Sequence, residues 1–195
     1  MSEERIIPIF PLNILPLPTE LIPLHIFEPR YRQLLQDMES EDIEFGILYA
    51  APINADRVGA LVKLESILKR YSTGESDIVV KCNGTFILDK YYKHFKDKQY
   101  AGGRIITIDA PSSDYASDEL KNAYREYQEV AESSYDSAVT IHDIANSLNL
   151  ENSDRLKYLR LIAKEKKERF LKERLRFDKY ILEQERKYKN SFTLN

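Results

Sequence analysis

The chain of 195 residues is poor in the residue types that build metal sites and disulfides, with one cysteine and three histidines. A single cysteine excludes a disulfide within the chain and any metal site made of several thiolates. The histidines, at positions 25, 94 and 142, are isolated and lack a ligand spacing such as H-E-x-x-H. We therefore expect no metal ion and no cofactor.

Recognisable catalytic patterns are also missing. No G-x-x-x-x-G-K-[ST] segment is present, so the sequence lacks the loop that holds nucleotide phosphates in many ATPases. The serine pairs at 112–113 and 133–134 lack a nearby histidine and the strand–turn setting of a nucleophile elbow. We predict a protein that is not an enzyme and has no catalytic residue.

Membrane and export signals are weak. No apolar run approaches the ~20 residues that span a bilayer. The first residues, MSEERIIPIF, carry acids where a signal peptide needs bases. The sequence therefore predicts a cytoplasmic protein without a membrane partner.

What the sequence does contain begins with proline. Six of its eight prolines lie within the first 29 residues. Proline has no amide hydrogen and fixes φ near −65°, so this opening favours short strand pieces joined by bends. Pro29 stands where a helix can begin, because the amides of a first turn have no partner within the helix. We expect that helix to include Tyr31–Met38.

Strand-like runs fill the rest of the first half. Asn83-Gly84 lies between two of them and is the preferred type I′ hairpin turn, in which both central residues need positive φ. Cys82 alternates with Ile78 and Val80, which predicts a buried, inert thiol. We predict an antiparallel, partly closed β barrel. Its expected strands are Ile43–Tyr49, Val58–Lys69, Asp77–Cys82, Thr85–Lys90 and Tyr100–Asp109.

The second half predicts helices, because no glycine or proline follows Pro111. This change in composition places a boundary near Asp109–Asp114 and divides the chain into domains 1–111 and 112–195. The sequence does not decide whether the last helix breaks near Lys164–Lys167. The first expected helix covers about 117–135, with Asp114, Ser117 and Asp118 as candidate caps. The second covers Ile141–Leu148 with Thr140 as cap, and the third is a long stretch from a cap at Ser153 or Asp154 toward Lys189.

Charge is segregated along the chain. Residues 109–154 carry 11 acidic and 2 basic side chains, whereas residues 155–195 carry 14 basic and 6 acidic ones. A basic helix suggests nucleic-acid binding, since lysine and arginine neutralise phosphates. The alternative is that this helix lies beside the acidic helices before it, which we favour because the net charge is −3.

Several short segments along the chain form one recurring pattern. They are Phe10-Pro11-Leu12, Pro16, Pro23-Leu24, Ile26-Phe27-Glu28-Pro29-Arg30-Tyr31, Val58-Gly59, Asn83-Gly84-Thr85-Phe86, Ile144-Ala145, Leu148, Leu150 and Leu156–Arg169. This pattern resembles the amino-terminal, substrate-binding domain of Lon proteases, and the likeness covers about residues 6–185. It is strongest in the proline-punctuated segment and weaker in the helices.

This resemblance implies an α+β fold: a PUA-like antiparallel pseudo-barrel with one or two helices, followed by an all-α bundle that ends in a long helix. It implies unfolded or specific polypeptides as partners, a role in protein quality control, and leaves open a separate protease or ATPase partner. The sequence ends at Asn195, so we expect a stand-alone domain that acts as an adaptor without the ATPase and Ser-Lys protease modules of Lon. The rival hypotheses are a PUA-like RNA-binding module that uses the basic helix, although nucleic acid is the less expected partner, and an enzyme with an unrecognised site.

The candidate peptide-binding residues are Leu17, Leu21, Tyr49 and Tyr71. They have apolar bodies and lie at loops or strand ends, and tyrosine can bury its ring while its hydroxyl stays hydrated. The apolar signature residues are instead expected in the core. These are Phe10, Leu12, Leu24, Ile26 and Phe27.

Overall fold

A computed structural model describes residues 4–109, 114–133 and 140–192. The chain divides into two compact units. Unit 1 comprises Met1–Ser112 and Glu151–Arg160, and unit 2 comprises Ser113–Leu150 and Leu161–Asn195. The predicted boundary between residues 111 and 112 lies outside the described residues.

Unit 1 is built on six strands. They are β1 Glu4–Leu12, β2 Leu21–Ile26, β3 Phe45–Tyr49, β4 Val58–Arg70, β5 Ser76–Tyr92 and β6 Ala101–Asp109. These strands form one sheet in the order β2-β5-β4-β3-β1-β6, and β6 also pairs with β5. Five strands therefore close into a barrel, and β2 is added to the first half of β5.

The α+β fold and the barrel are confirmed. The β1–β3 pair is parallel, so the prediction of an antiparallel sheet is wrong at this pair.

Helix α1, Pro29–Glu41, begins at the expected proline and packs on the sheet. Its buried residues follow the three- and four-residue spacing of one helix face. The ring of Tyr31 stacks on that of Phe10, with centroids 3.7 Å apart. Ile26 joins the same core cluster, and Leu12 and Leu24 pack against it partly buried. Phe27 differs from expectation, since it is 55% exposed.

The predicted hairpin at Asn83-Gly84 is wrong. Both residues lie inside the 17-residue strand β5, and neither has positive φ. Cys82 pairs with Val62 and Gly84 with Leu61, so Asn83 is the extra residue of a β-bulge. The pairing of β5 with β4 overrides the local turn preference. The hairpin turn between those strands is at Tyr71–Glu75, where Gly74 has a φ of 89°.

Unit 2 contains α2, Asp118–Ala131, α3, Ile141–Ser147, and α5, Lys164–Phe192. The caps of the first two helices are confirmed: Ser117 accepts a hydrogen bond from the amide of Leu120, and Thr140 forms a capping box with Asp143. Each cap supplies a partner for amides that the first turn leaves unbonded.

The long terminal helix starts later than expected. Residues 152–160 form a separate helix, α4 (Asn152–Arg160), so neither Ser153 nor Asp154 caps the long one. No glycine or proline marks the break at 161–163 in the sequence. Helix α4 belongs to unit 1 and α5 to unit 2, so the break coincides with the boundary between the two units.

Helix α4 holds the proline-rich segment between β1 and β2. Arg155 donates to the carbonyl of Leu15 at 3.2 Å and pairs with Glu20 at 2.6 Å. The same carboxylate oxygen of Glu20 accepts from the amide of Leu17 at 2.8 Å. These contacts satisfy backbone groups that a proline-rich segment cannot pair in a sheet.

Candidate functional site

The outward side of β2 carries the most conspicuous apolar surface in unit 1. Leu21, Pro23 and His25 alternate outward, whereas Ile22 and Ile26 point into the core. Among the described strands, β2 pairs with β5 alone. Proline suits such an edge because it cannot donate to a neighbouring strand. We call this surface, formed by Leu21, Pro23, His25, Phe27, Tyr71 and Val79, the β2 face.

His25 lies at one end of the β2 face, where its ring contacts those of Phe27 and Tyr71. Its ring is 5.9 Å from that of Phe27 in a nearly parallel arrangement and 5.9 Å from that of Tyr71 edge-on. Its Nδ1 lies 2.7 Å from a carboxylate oxygen of Asp77. The Tyr71 hydroxyl donates to the other oxygen of Asp77, also at 2.7 Å. The Asp77 carboxylate thus holds the rings of His25 and Tyr71, and the Phe27 ring packs against His25.

The electrostatics of this cluster favour the ionised carboxylate. Hydrogen bonds from His25 and then Tyr71 lower the pKa of Asp77. The hydrogen bond to Asp77 raises the pKa of the Tyr71 hydroxyl, with burial adding to the effect. The ammonium of Lys69 lies 4.4 Å from the centre of the Tyr71 ring. The phenol therefore stays protonated as a donor, and its ring contacts both His25 and Lys69.

Arg32 of α1 ties the β4–β5 turn to the chain after β2. Its guanidinium donates to the carbonyls of Phe27 at 2.8 Å and Thr73 at 2.9 Å. The φ of 89° at Gly74 favours glycine, and a Cβ there would lie 2.8 Å from Nη1 of Arg32. The exposed ring of Phe27 therefore projects from a fixed backbone.

Of the four candidate residues named from the sequence, two reach the surface in the structure and two are buried. Leu21 is 56% exposed, and Tyr71 is half-buried; both belong to the β2 face. Leu17 and Tyr49 are buried, so their side chains are not available to a ligand in this structure. Sequence reasoning missed Phe27 and His25. The alternation from Leu21 to Phe27, with odd positions outward, was the signal that could have found them.

The basic helix α5 lies along the acidic helix α2. Three ion pairs join them: Lys172 with Glu119 at 2.8 Å, Lys179 with Glu126 at 3.0 Å, and Arg186 with Glu132 at 2.7 Å. The constant order of these partners shows that the two helices run in the same direction. The intramolecular explanation of the segregated charge is confirmed. These pairs orient the helices, since exposed pairs add only ~0–1 kcal/mol each.

No helix among the described residues is long and apolar enough to cross a membrane. No group of three or more histidine, cysteine, aspartate or glutamate side chains in that part of the chain is arranged to hold a metal ion.

Comparison with known proteins identifies the fold. The structure is similar to a Lon N-terminal domain protein from Xanthomonas campestris, with a TM-score of 0.64, 20% identity, and coverage of 82% of this chain and 92% of that one. It is also similar to the N-terminal domain of Mycobacterium avium complex Lon protease, with a TM-score of 0.58, 13% identity, and coverage of 88% and 98%. A search of curated proteins found no match.

The sequence profile of one family extends over most of the chain. That family is described as the substrate-binding domain of ATP-dependent protease La (Lon), and its profile matches residues 6–169. The match includes the β barrel, the β2 face and the start of α5. The chain therefore belongs to the Lon substrate-binding domain family.

Proposed function

We propose that this protein binds unfolded or extended polypeptide segments and performs no chemistry on them. The observation that carries this proposal is the β2 face, where Leu21 and Phe27 are each more than half exposed and His25 contacts the rings of Phe27 and Tyr71. Exposed apolar side chains gathered on one surface are typical of sites for protein ligands. Membership of a substrate-binding family supports the same function.

The β2 face is organised for recognition of an extended chain. Leu21 and Phe27 are six positions apart, which separates them by roughly 20 Å at ~3.3 Å per residue of strand. A ligand in extended conformation can therefore place one apolar side chain against each anchor. Because Arg32 and Asp77 already fix the aromatic end, binding orders few side chains and loses little entropy.

The charges beside the β2 face add selectivity. Lys81 is the cross-strand neighbour of Leu21, and Lys69 lies over Tyr71. Lysines next to apolar anchors favour segments in which acidic and apolar residues are mixed. We propose that the protein serves as an adaptor in protein quality control that passes such segments to a separate protease or ATPase.

Substituting Leu21→Asp is expected to weaken the binding of an unfolded polypeptide by about tenfold, since a buried leucine contributes ~1.5–3 kcal/mol on contact. Tyr71→Ala is expected to act in the same direction. The measurement is fluorescence anisotropy with labelled, reduced and carboxymethylated lactalbumin. Ile53→Asp is the matched control, because Ile53 is an equally exposed apolar residue away from the β2 face (55% against 56% for Leu21).

Equal affinity of the wild type and both β2-face variants would contradict the proposal. A nucleic-acid function predicts a different pattern, in which labelled RNA binds at low salt and dissociates steeply as salt rises. Because three basic residues of α5 are already paired with carboxylates of α2, we expect no gel shift with RNA at low salt.

A further inference from the structure

Strand β1 has a free edge over its first half. Its residues Glu4–Ile9 pair with β6 on one side. On the other side, pairing with β3 begins only at Ile9, opposite Gly46. Among the described strands, none pairs with residues 5–8 on that side. The barrel is therefore open beside about four residues of β1, a length of ~13 Å.

The backbone of Ile6 points toward this free edge. In an antiparallel pair, residues alternate between bonding the partner strand and directing their amide and carbonyl away from it. Pro8, opposite Gly102, has no amide hydrogen and fits the class that does not donate to β6. Ile6 is two positions earlier and belongs to the same class. Its amide and carbonyl are thus placed to bond a further strand.

A groove follows this edge and encloses about 610 Å³. Its lining also includes Glu41 at the end of α1, residues 42–44 before β3, and the rings of Phe95 and Tyr100. The rings of Phe95 and Tyr100 stack at 5.9 Å. Ile6 borders the groove and is 57% exposed, which leaves an apolar contact open to a ligand.

Arg5, which lines the groove, has one hydrogen-bond donor without an acceptor among the described residues. Nη1 of Arg5 pairs with Glu44 at 2.9 Å, but its Nε is buried and has no hydrogen-bond partner among the described residues. A buried donor without an acceptor costs about 1–3 kcal/mol. Glu41, Asp42, Lys96 and Lys98 add two charges of each sign to the lining, which suits a peptide of mixed sequence.

We propose that this groove receives an extended polypeptide segment as an added strand along Arg5–Pro8 of β1. Main-chain hydrogen bonds to Ile6 would supply affinity that does not depend on the peptide's sequence. Contact with Ile6 and Phe95 would favour apolar side chains. The inference rests on the proposed polypeptide-binding function but assigns a second contact surface, separate in sequence from the β2 face. A single long segment can then be held at two places.

The test uses a labelled, capped peptide in which valine alternates with glutamine, and its analogue N-methylated at every amide. The wild type is expected to bind the first peptide and to bind the analogue about tenfold less tightly, since N-methylation removes the donors of a strand. Ile6→Asp is expected to weaken binding by about tenfold, as a lost apolar contact does. Ile53→Asp, at similar exposure, should bind like the wild type.

Amide hydrogen exchange of Ile6, followed by NMR in the wild type, provides the site-specific readout. Slower exchange at Ile6 when the peptide is bound supports the proposal. Unchanged exchange at Ile6, together with loss of binding in Leu21→Asp, overturns the groove and leaves the proposed function intact. Failure of the wild type to bind either this peptide or unfolded lactalbumin overturns both.

Discussion

Substituting Gly59→Ala is expected to destabilise unit 1 by about 2–3 kcal/mol through overpacking. A Cβ at this position would lie 2.3 Å from Cζ of Phe86 and 2.7 Å from the carbonyl oxygen of Ile47. The Phe86 ring is fully buried and also lies 2.7 Å from a Cβ built on Gly46. Backbone and ring would both have to shift. Urea denaturation followed by circular dichroism measures the loss.

The double variant Gly59→Ala/Phe86→Leu separates overpacking from other effects. If the ring of Phe86 is the obstacle, its shortening should recover part of the loss, and the two changes should not be additive. The Ile47 contact is untouched, so recovery should be incomplete. An unchanged urea midpoint in Gly59→Ala would contradict this packing account. Gly59 and Phe86 belong to two of the segments that resemble the Lon family, and they pack against each other across β4 and β5.

The second large effect is expected for Asp37→Ala, with a loss of about 2–3 kcal/mol at neutral pH. Asp37 is a buried residue of α1. Its carboxylate accepts from the Tyr100 hydroxyl at 2.6 Å and from Nζ of Lys98 at 2.8 Å. Truncation leaves the buried hydroxyl of Tyr100 without an acceptor. Tyr100→Phe is the control, since it removes the hydroxyl while keeping the ring and the Lys98 pair, and should cost less.

The stabilisation by Asp37 has a predictable pH dependence. Burial raises the pKa of Asp37, but hydrogen bonds from Lys98 and Tyr100 outweigh it, and the pKa is lowered. A carboxyl whose pKa is lower in the folded state stabilises fully above its unfolded pKa of about 3.9. The stability difference between the wild type and Asp37→Ala should therefore persist from neutral pH to about pH 4, and shrink as the pH falls further. A constant difference down to pH 2 would contradict this assignment.

Local signals predicted those parts of the fold that local chemistry decides. Pro29 at the start of α1 and the caps at Ser117 and Thr140 act within one turn of helix, so the sequence alone reveals them. The hairpin predicted at Asn83-Gly84 is wrong because the turn preference of these residues competes with pairing to β4, a long-range partner that the sequence does not reveal. The sequence left open whether the terminal helix is broken, and no glycine or proline marks the break after Arg160.

The candidate site was partly predictable. Leu21 and Tyr71 were selected from their type and position and lie on the β2 face. Leu17 is buried because Glu20 and Arg155, 135 residues apart, fix its segment in place. No local pattern shows such a contact. Phe27 is expected in the core with the other apolar residues of its segment, but it follows β2 directly and continues the outward alternation of Leu21, Pro23 and His25.

Site-specific photo-crosslinking tests the central claim most directly. The photoreactive amino acid p-benzoylphenylalanine replaces Phe27 in one protein and Ile53 in another, two positions of equal exposure (55%). Labelled unfolded lactalbumin is then bound and irradiated. The account predicts a strong crosslink from position 27 and little from position 53. Equal yields from both positions, or no crosslink from position 27 while the polypeptide remains bound, would contradict it.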